Sequence, residues 1–135
     1  RNSKFPREAT PAIIKYLESL TIEKDMAYMY ISRGDLENNE ELKQGASTAQ
    51  SFLRDKYLRF IQGVHWGFIV KPDMNFDDIW FVSFRSTKEY QDVKIIAEEL
   101  GGGGHTYSAG VQMKANSLDK VLDKILKVCR KHLEK

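Results

Sequence analysis

The chain has 135 residues, 41% hydrophobic and 30% charged, the size and composition of one globular domain that buries a core without disulfides or a structural metal. No apolar run approaches the roughly 20 residues of a membrane span, and a formal charge of +2, from 21 basic and 19 acidic side chains, excludes overall basicity as an argument for nucleic-acid binding. The single cysteine, Cys129, excludes an internal disulfide and a multi-cysteine zinc site, and fits a reducing, cytoplasmic compartment.

A start at Arg1, with neither methionine nor an apolar leader, reads as the edge of a longer chain. Thr10-Pro11 supplies a cap and first-turn signal, and Ile13, Ile14, Leu17 and Leu20 recur at helical spacing, which predicts a helix over 11–20. The run Met26 to Ile31 is short, apolar and aromatic and predicts a buried strand, closed by the turn signal Arg33-Gly34-Asp35. The acidic segment 35–41 is then expected as loop or frayed helix. Ser47-Thr48-Ala49-Gln50 has the form of a capping box and predicts a helix from there to about Ile61. Its expected buried face is Ala49, Phe52, Leu53, Tyr57, Phe60 and Ile61, opposite Asp55, Lys56 and Arg59, with Gly63 as the stop.

Two runs rich in aromatic and β-branched residues, 64–70 and 79–84, flank a turn containing Pro72 and several Asx residues, and predict a hairpin. Asp92 can cap a helix reaching Leu100, with Val93, Ile96, Ala97 and Leu100 as its apolar stripe. Val111 to Met113 predicts a short strand, and Asn116-Ser117 opens a helix over 118–133 with Leu118, Leu122, Ile125, Cys129 and Leu133 inward. The fold class expected is α/β, a single domain with a mixed β-sheet of about four or five strands packed against helices.

Gly101-Gly102-Gly103-Gly104 follows the Asp92 helix, and small residues continue through Ser108-Ala109-Gly110. Four glycines are either a flexible joint or an ordered surface, because each costs about 0.5–1 kcal/mol relative to alanine in regular structure and an ordered run requires compensation. The run lacks the Gly-Lys-Ser/Thr ending of a Walker loop and the leading strand of a dinucleotide fingerprint, so any anion site it makes is of another kind. His105, at the exit, is a structural histidine or a ligand contact. Arg85, at the end of the second hairpin strand, has the planar fork that suits phosphate, with the Ser86 hydroxyl beside it, or is a solvated strand-end charge. Tyr107 is the better candidate for a base contact, and Trp66 and Trp80 for core or interdomain surface.

Phe84-Arg85-Ser86, Asp92-Val93, Ile96-Ala97 and Leu100 through His105, closing on Ala109-Gly110, resemble the C-terminal DHH-associated domain of the DHH phosphoesterases. The motifs span residues 83 to 110, and the order of elements from about Met26 onward agrees. That superfamily includes single-strand exonucleases, nanoRNases that also act on 3′-phosphoadenosine 5′-phosphate, cyclic-dinucleotide phosphodiesterases and polyphosphatases. The resemblance implies that Arg85 and His105 contact substrate phosphate, that Gly101, Gly102, Gly103 and Gly104 let the backbone approach the ligand, and that Ser86 supports them. Ser108 stands where the family's usual ending has alanine, which leaves fine specificity open.

By the same resemblance, residues 1–22 form the end of an interdomain connector or a docking helix, and 23–135 the substrate-binding domain. The family's catalysis uses a two-metal, usually manganese, centre in an N-terminal domain bearing an Asp-His-His sequence. No such triplet occurs here, and His65, His105 and His132 are scattered. The expectation is therefore a substrate-binding half with no catalytic or metal residues of its own. Its partners would be the N-terminal domain and a short or single-stranded nucleic acid or nucleotide, with no membrane and with homodimerisation of the parent protein as a further expectation. A stand-alone nucleotide-binding module is the alternative. Lys120, Lys124, Lys127 and Lys131 share one face of the last helix, read as a solvated face rather than a nucleic-acid track.

Overall fold

The computed structural model describes residues 4–133. After a 3-10 turn at Arg7–Ala9, helix α1 (Thr10–Glu18) leads into strands β1 (Thr21–Glu23) and β2 (Met26–Tyr30). Helices α2 (Arg33–Glu37) and α3 (Glu40–Lys56) and a 3-10 turn at Leu58–Phe60 follow, then the hairpin β3 (Trp66–Pro72) and β4 (Ile79–Ser86). Helix α4 (Val93–Glu99), strands β5 (Gly103–His105) and β6 (Ser108–Lys114) and helix α5 (Leu118–Arg130) complete the domain.

One six-stranded sheet has the order β1-β2-β3-β4-β6-β5, in which only the β2/β3 pair is parallel. The α/β class with a mixed sheet holds. The two extra strands are three-residue edges, one adjoining a β-turn and the other made of glycines, neither of which carries a period-two pattern long enough to read. None of the described helices is long and apolar enough to cross a membrane.

The alternation along β4 shows why the sheet has two different faces. Trp80, Val82, Phe84 and Ser86 are buried on one side, while Ile79, Phe81, Ser83 and Arg85 alternate on the other. The first side joins Met26, Tyr28, Trp66, Phe68, Val70, Ala109, Val111 and Met113 in a core roofed by α4 and α5. Within it, Tyr28 stacks on Phe68 with ring centroids 4.9 Å apart. The second side has its own core, in which Ala27, Met29, Ile31 and Ile69 of the β2/β3 region pack under Ala12 and Tyr16 of α1 and Ala46, Ala49 and Leu53 of α3. No residue of β4, β5 or β6 enters that second core. Two layers of helix thus cover one half of the sheet, and one layer the other half.

Several local expectations change. The third helix starts at Glu40, not Ser47, because Asn39 accepts from the Leu42 amide at 3.1 Å and Glu40 and Glu41 favour the positive end of the helix. Ser47 is therefore an exposed mid-helix residue rather than a cap. The run includes Gly45 in its interior because a Cβ there would lie 2.9 Å from the Ala9 Cα. The Arg33-Gly34-Asp35 turn and the acidic segment become α2, capped by Ser32 through the Asp35 amide at 3.0 Å, and the opening turn of α3. Helix α3 ends at Lys56, so the 3.6-residue period does not extend to Tyr57 and Phe60, which are exposed instead of buried. The caps at Asp92 and Ser117 and the 64–84 hairpin are as read from the sequence.

Helix α1 is joined to this body through buried Ala12 and Tyr16, whose hydroxyl donates to the Ala46 carbonyl at 3.3 Å, and β1 pairs with β2 in the sheet. Trp66 and Trp80 are core residues at 0% and 2% exposure.

Candidate functional site

Register brings the sequence motifs together. Ala27 pairs with Gly67, Gly67 with Arg85, Arg85 with Ser108 and Ser108 with His105, so these five residues form one row across five strands. Paired residues share a face, and with neighbouring strands about 4.8 Å apart the Arg85 and His105 backbones lie about 10 Å from each other. Ala27 lies under α1 and α3 and Arg85 beside the end of α3, while Ser108 and His105 continue the row onto the part of the face that these helices leave open. The next row on that face runs from Ser83 through Gly110 to Gly103. Two of its three residues are glycine, which leaves bare backbone beside Arg85 and His105.

The glycines of the predicted loop have unlike roles. Gly101 has φ of +100° and turns the chain out of α4. A Cβ on Gly102 would lie 2.2 Å from the Gly110 carbonyl oxygen, and one on Gly104, where φ is +145°, would lie 2.6 Å from the Ala109 Cα. These three are required by the fold. At Gly103 a Cβ would meet nothing within 4 Å and φ is not positive, so neither sterics nor backbone conformation accounts for that glycine. The run is an ordered edge strand leading into a two-residue turn, Thr106-Tyr107, rather than a flexible joint. The Thr106 carbonyl accepts from the Val93 amide at 2.8 Å, which ties this turn to the first residue of α4.

Arg85 is held rather than free. Its Nε donates to Asp55 Oδ1 at 3.1 Å and its Nη1 to the Phe84 carbonyl at 2.8 Å. Its side chain is 17% exposed, and Nη2 has no partner among the described residues. Asp55 also takes a bidentate pair from Arg54, Nε at 3.0 Å and Nη2 at 2.9 Å. Arg59 approaches from the 3-10 turn after α3, its Nη1 donating to the Ser86 carbonyl at 3.4 Å. Two guanidinium groups therefore share one carboxylate, and a third, Arg59, stands on the neighbouring Ser86 carbonyl. Burial, followed by the charge of Arg54, holds the Arg85 pKa below the ordinary arginine value, with Asp55 opposing and Arg59 adding a smaller push. It remains a cation at any relevant pH.

Ser86 is 1% exposed; its hydroxyl donates to the Thr87 carbonyl at 2.8 Å and accepts from the Gln91 amide at 3.0 Å. It pins the segment behind Arg85. The Ser86 amide donates to the Tyr107 carbonyl at 3.0 Å, which fixes the β5/β6 turn against β4. His105 is exposed and Tyr107 half-buried in that turn. From α3, Gln50 donates to the Ser83 hydroxyl at 3.4 Å. Arg54, Asp55, Arg59, Ser83 and Ser108 were not singled out from the sequence as site residues. The helical period sets Asp55 and Arg59 on the outer face, but nothing local says that this face looks onto Arg85. Among the described residues no three of His, Cys, Asp and Glu are placed to hold a metal ion.

No curated protein matches the sequence. Among solved structures, an exopolyphosphatase-related protein from Bacteroides fragilis superposes with a TM-score of 0.75 at 14% identity, over 96% of this chain and 36% of that one. A pGpG-specific phosphodiesterase from Vibrio cholerae superposes with a TM-score of 0.57 at 9% identity, over 93% of this chain and 40% of its own. At such identities the likeness is one of fold, and the chain spans roughly two-fifths or less of either protein. The family model of the DHHA1 domain matches residues 24–131, a span running from β2 to the end of α5 that includes the Arg85 row and the glycine strand. The chain belongs to the DHHA1 domain family.

Proposed function

We propose that this chain is the substrate-holding half of a metal-dependent DHH-family phosphodiesterase, acting in the cytoplasm on a short or single-stranded nucleic acid or a nucleotide. The observation that carries the reading is the single row Arg85, Ser108 and His105 on an open half-face, flanked by the glycine strip of Gly110 and Gly103. An Arg85 guanidinium fixed at Nε and Nη1 presents its Nη2 edge to a phosphate oxygen with little rotamer entropy left to lose. His105, at the far end of the row, contacts the same phosphate or the next one. Gly103 admits ligand where a side chain would project, and Ser86 and Tyr107 brace the two strands from behind.

Residues 1–22 would be the end of an interdomain connector or a docking helix, of which α1 packs against the domain, and the catalytic DHH domain would close over the half-face left open. The chemistry of a two-manganese centre, activation of the attacking water and neutralisation of charge at phosphorus, belongs to that domain. This chain orients the phosphodiester, holds its charge and excludes water from one side. Arg85→Ala and His105→Ala, made in the protein joined to its catalytic domain, should each lower turnover of a short oligoribonucleotide about a hundredfold or more with folding unchanged. Wild-type turnover in both variants would refute the site. Tight binding of the same oligonucleotide by this chain alone, with no hydrolysis in the joined protein, would favour a stand-alone binding module.

A further inference from the structure

The rim of the sheet just beyond Arg85 carries aromatic rings that neither core uses. Tyr90 is 57% exposed and Phe60 67% exposed, high values for rings of this size. Tyr90 lies flat on His65, with ring centroids 3.7 Å apart and planes 12° from parallel. One face of Tyr90 is thereby covered while its ring remains largely open to solvent. The Arg59 guanidinium lies 5.3 Å from the centroid of the Phe60 ring.

Both groups hang on the two residues that follow Arg85. The Thr87 amide donates to the His65 carbonyl at 2.7 Å, the Tyr90 amide to the Thr87 carbonyl at 3.1 Å, and Arg59 to the Ser86 carbonyl at 3.4 Å. Two residues of extended chain span about 7 Å, so the backbone groups that anchor these rings lie about one nucleotide's length from the Arg85 backbone. We propose that Tyr90, backed by His65, and Phe60, flanked by Arg59, form a nucleobase-stacking ledge beside the phosphate row, which makes the ligand a nucleotide or single-stranded nucleic acid rather than inorganic polyphosphate.

Stacking accounts for features that simple exposure does not. Aromatic faces take bases of any sequence, and a guanidinium over one face of a ring adds cation–π attraction and reaches for phosphate while the other face takes the base. A protein partner fits less well, because interface cores are depleted in charge, whereas Phe60 lies against the Arg59 guanidinium, which itself donates to the Ser86 carbonyl next to Arg85. That surround matches a polyanion carrying flat apolar groups.

The proposal rests on Arg85 as a phosphate ligand, and the test separates the two. Binding of an adenylate trinucleotide and of tripolyphosphate is measured for the protein and for Tyr90→Leu, Phe60→Leu, Tyr90→Phe and Arg85→Ala. Each leucine variant should weaken trinucleotide binding on the order of tenfold and leave tripolyphosphate unchanged, while Tyr90→Phe binds as wild type. Arg85→Ala should weaken both ligands. Trinucleotide binding undiminished in both leucine variants, or lost equally for both ligands, or absent in the wild-type protein, overturns the ledge. Leucine variants that change only association with a protein partner overturn it in favour of docking. Unchanged binding of both ligands by Arg85→Ala, with the leucine variants behaving as expected, removes the phosphate assignment and leaves the stacking.

Discussion

Asp55 is the residue on which the site's charge is organised. Its Oδ1 receives both the Arg54 and the Arg85 Nε, so one carboxylate fixes the spacing of two guanidiniums that would otherwise repel each other. Hydrogen bonding from Arg54 holds Asp55 below the ordinary carboxylate pKa, with burial opposing and Arg85 adding to the effect. A depressed folded-state pKa contributes stability above the unfolded value, near pH 4, and that contribution is lost as pH falls through the lower folded value. Asp55 is 42% exposed, so solvent screening keeps the contribution to about 1 kcal/mol or less. Urea titrations of wild type and Asp55→Asn should therefore differ most near neutral pH and converge below about pH 4. A difference that stays constant across that range would show that the carboxylate charge does not act on the fold.

At the scale of elements, the β5/β6 hairpin separates fold from function more sharply than any other part. Gly102→Ala should destabilise by about 1–3 kcal/mol, since its Cβ would have to displace backbone at Gly110. Gly103→Ala meets open space and should leave denaturant stability unchanged or raise it by roughly 0.5 kcal/mol through the unfolded chain. The same Gly103 variant should weaken ligand binding, because its methyl group projects onto the strip between Arg85 and the β5 edge. Stability loss in Gly103→Ala comparable to that in Gly102→Ala would place the glycine requirement in the fold alone. The glycine run was visible in the sequence, yet its division into three structural positions and one open one was not, because it depends on the strand that lies opposite. Helix starts show a similar limit. Ser47-Gln50 and Asn39-Leu42 both have locally acceptable cap chemistry, and the packing of Gly45 and Ala46 against the Arg7–Ala9 turn and α1 selects the earlier start.

For the molecule as a whole, two hydrophobic cores on opposite faces of one sheet predict a cooperative unit from α1 to α5. Cys129 reports on it. The thiol is fully buried on α5 and burial pushes its pKa up, so the reactive thiolate is suppressed in the folded state. Labelling by a disulfide reagent near pH 8 should proceed only as fast as the domain opens, and should accelerate with urea in step with the loss of the near-ultraviolet signal of the buried tryptophans. Rapid labelling of the native protein would mean that α5 detaches independently.

The amino-acid sequence by itself determined strand β2, the β3/β4 hairpin, the caps of α4 and α5, the inward placing of Ile125 and Cys129 on α5 and the motif set that marks the family. Each of these depends on period, cap or turn chemistry within a few residues. Tertiary structure alone decided that β6 inserts between β4 and β5, that α1 and α3 roof only half of the second face, and that Asp55 meets Arg85 across 30 positions of chain. Strand neighbours and layer coverage follow from which distant surfaces bury the most apolar area together, and local patterning is silent about that competition.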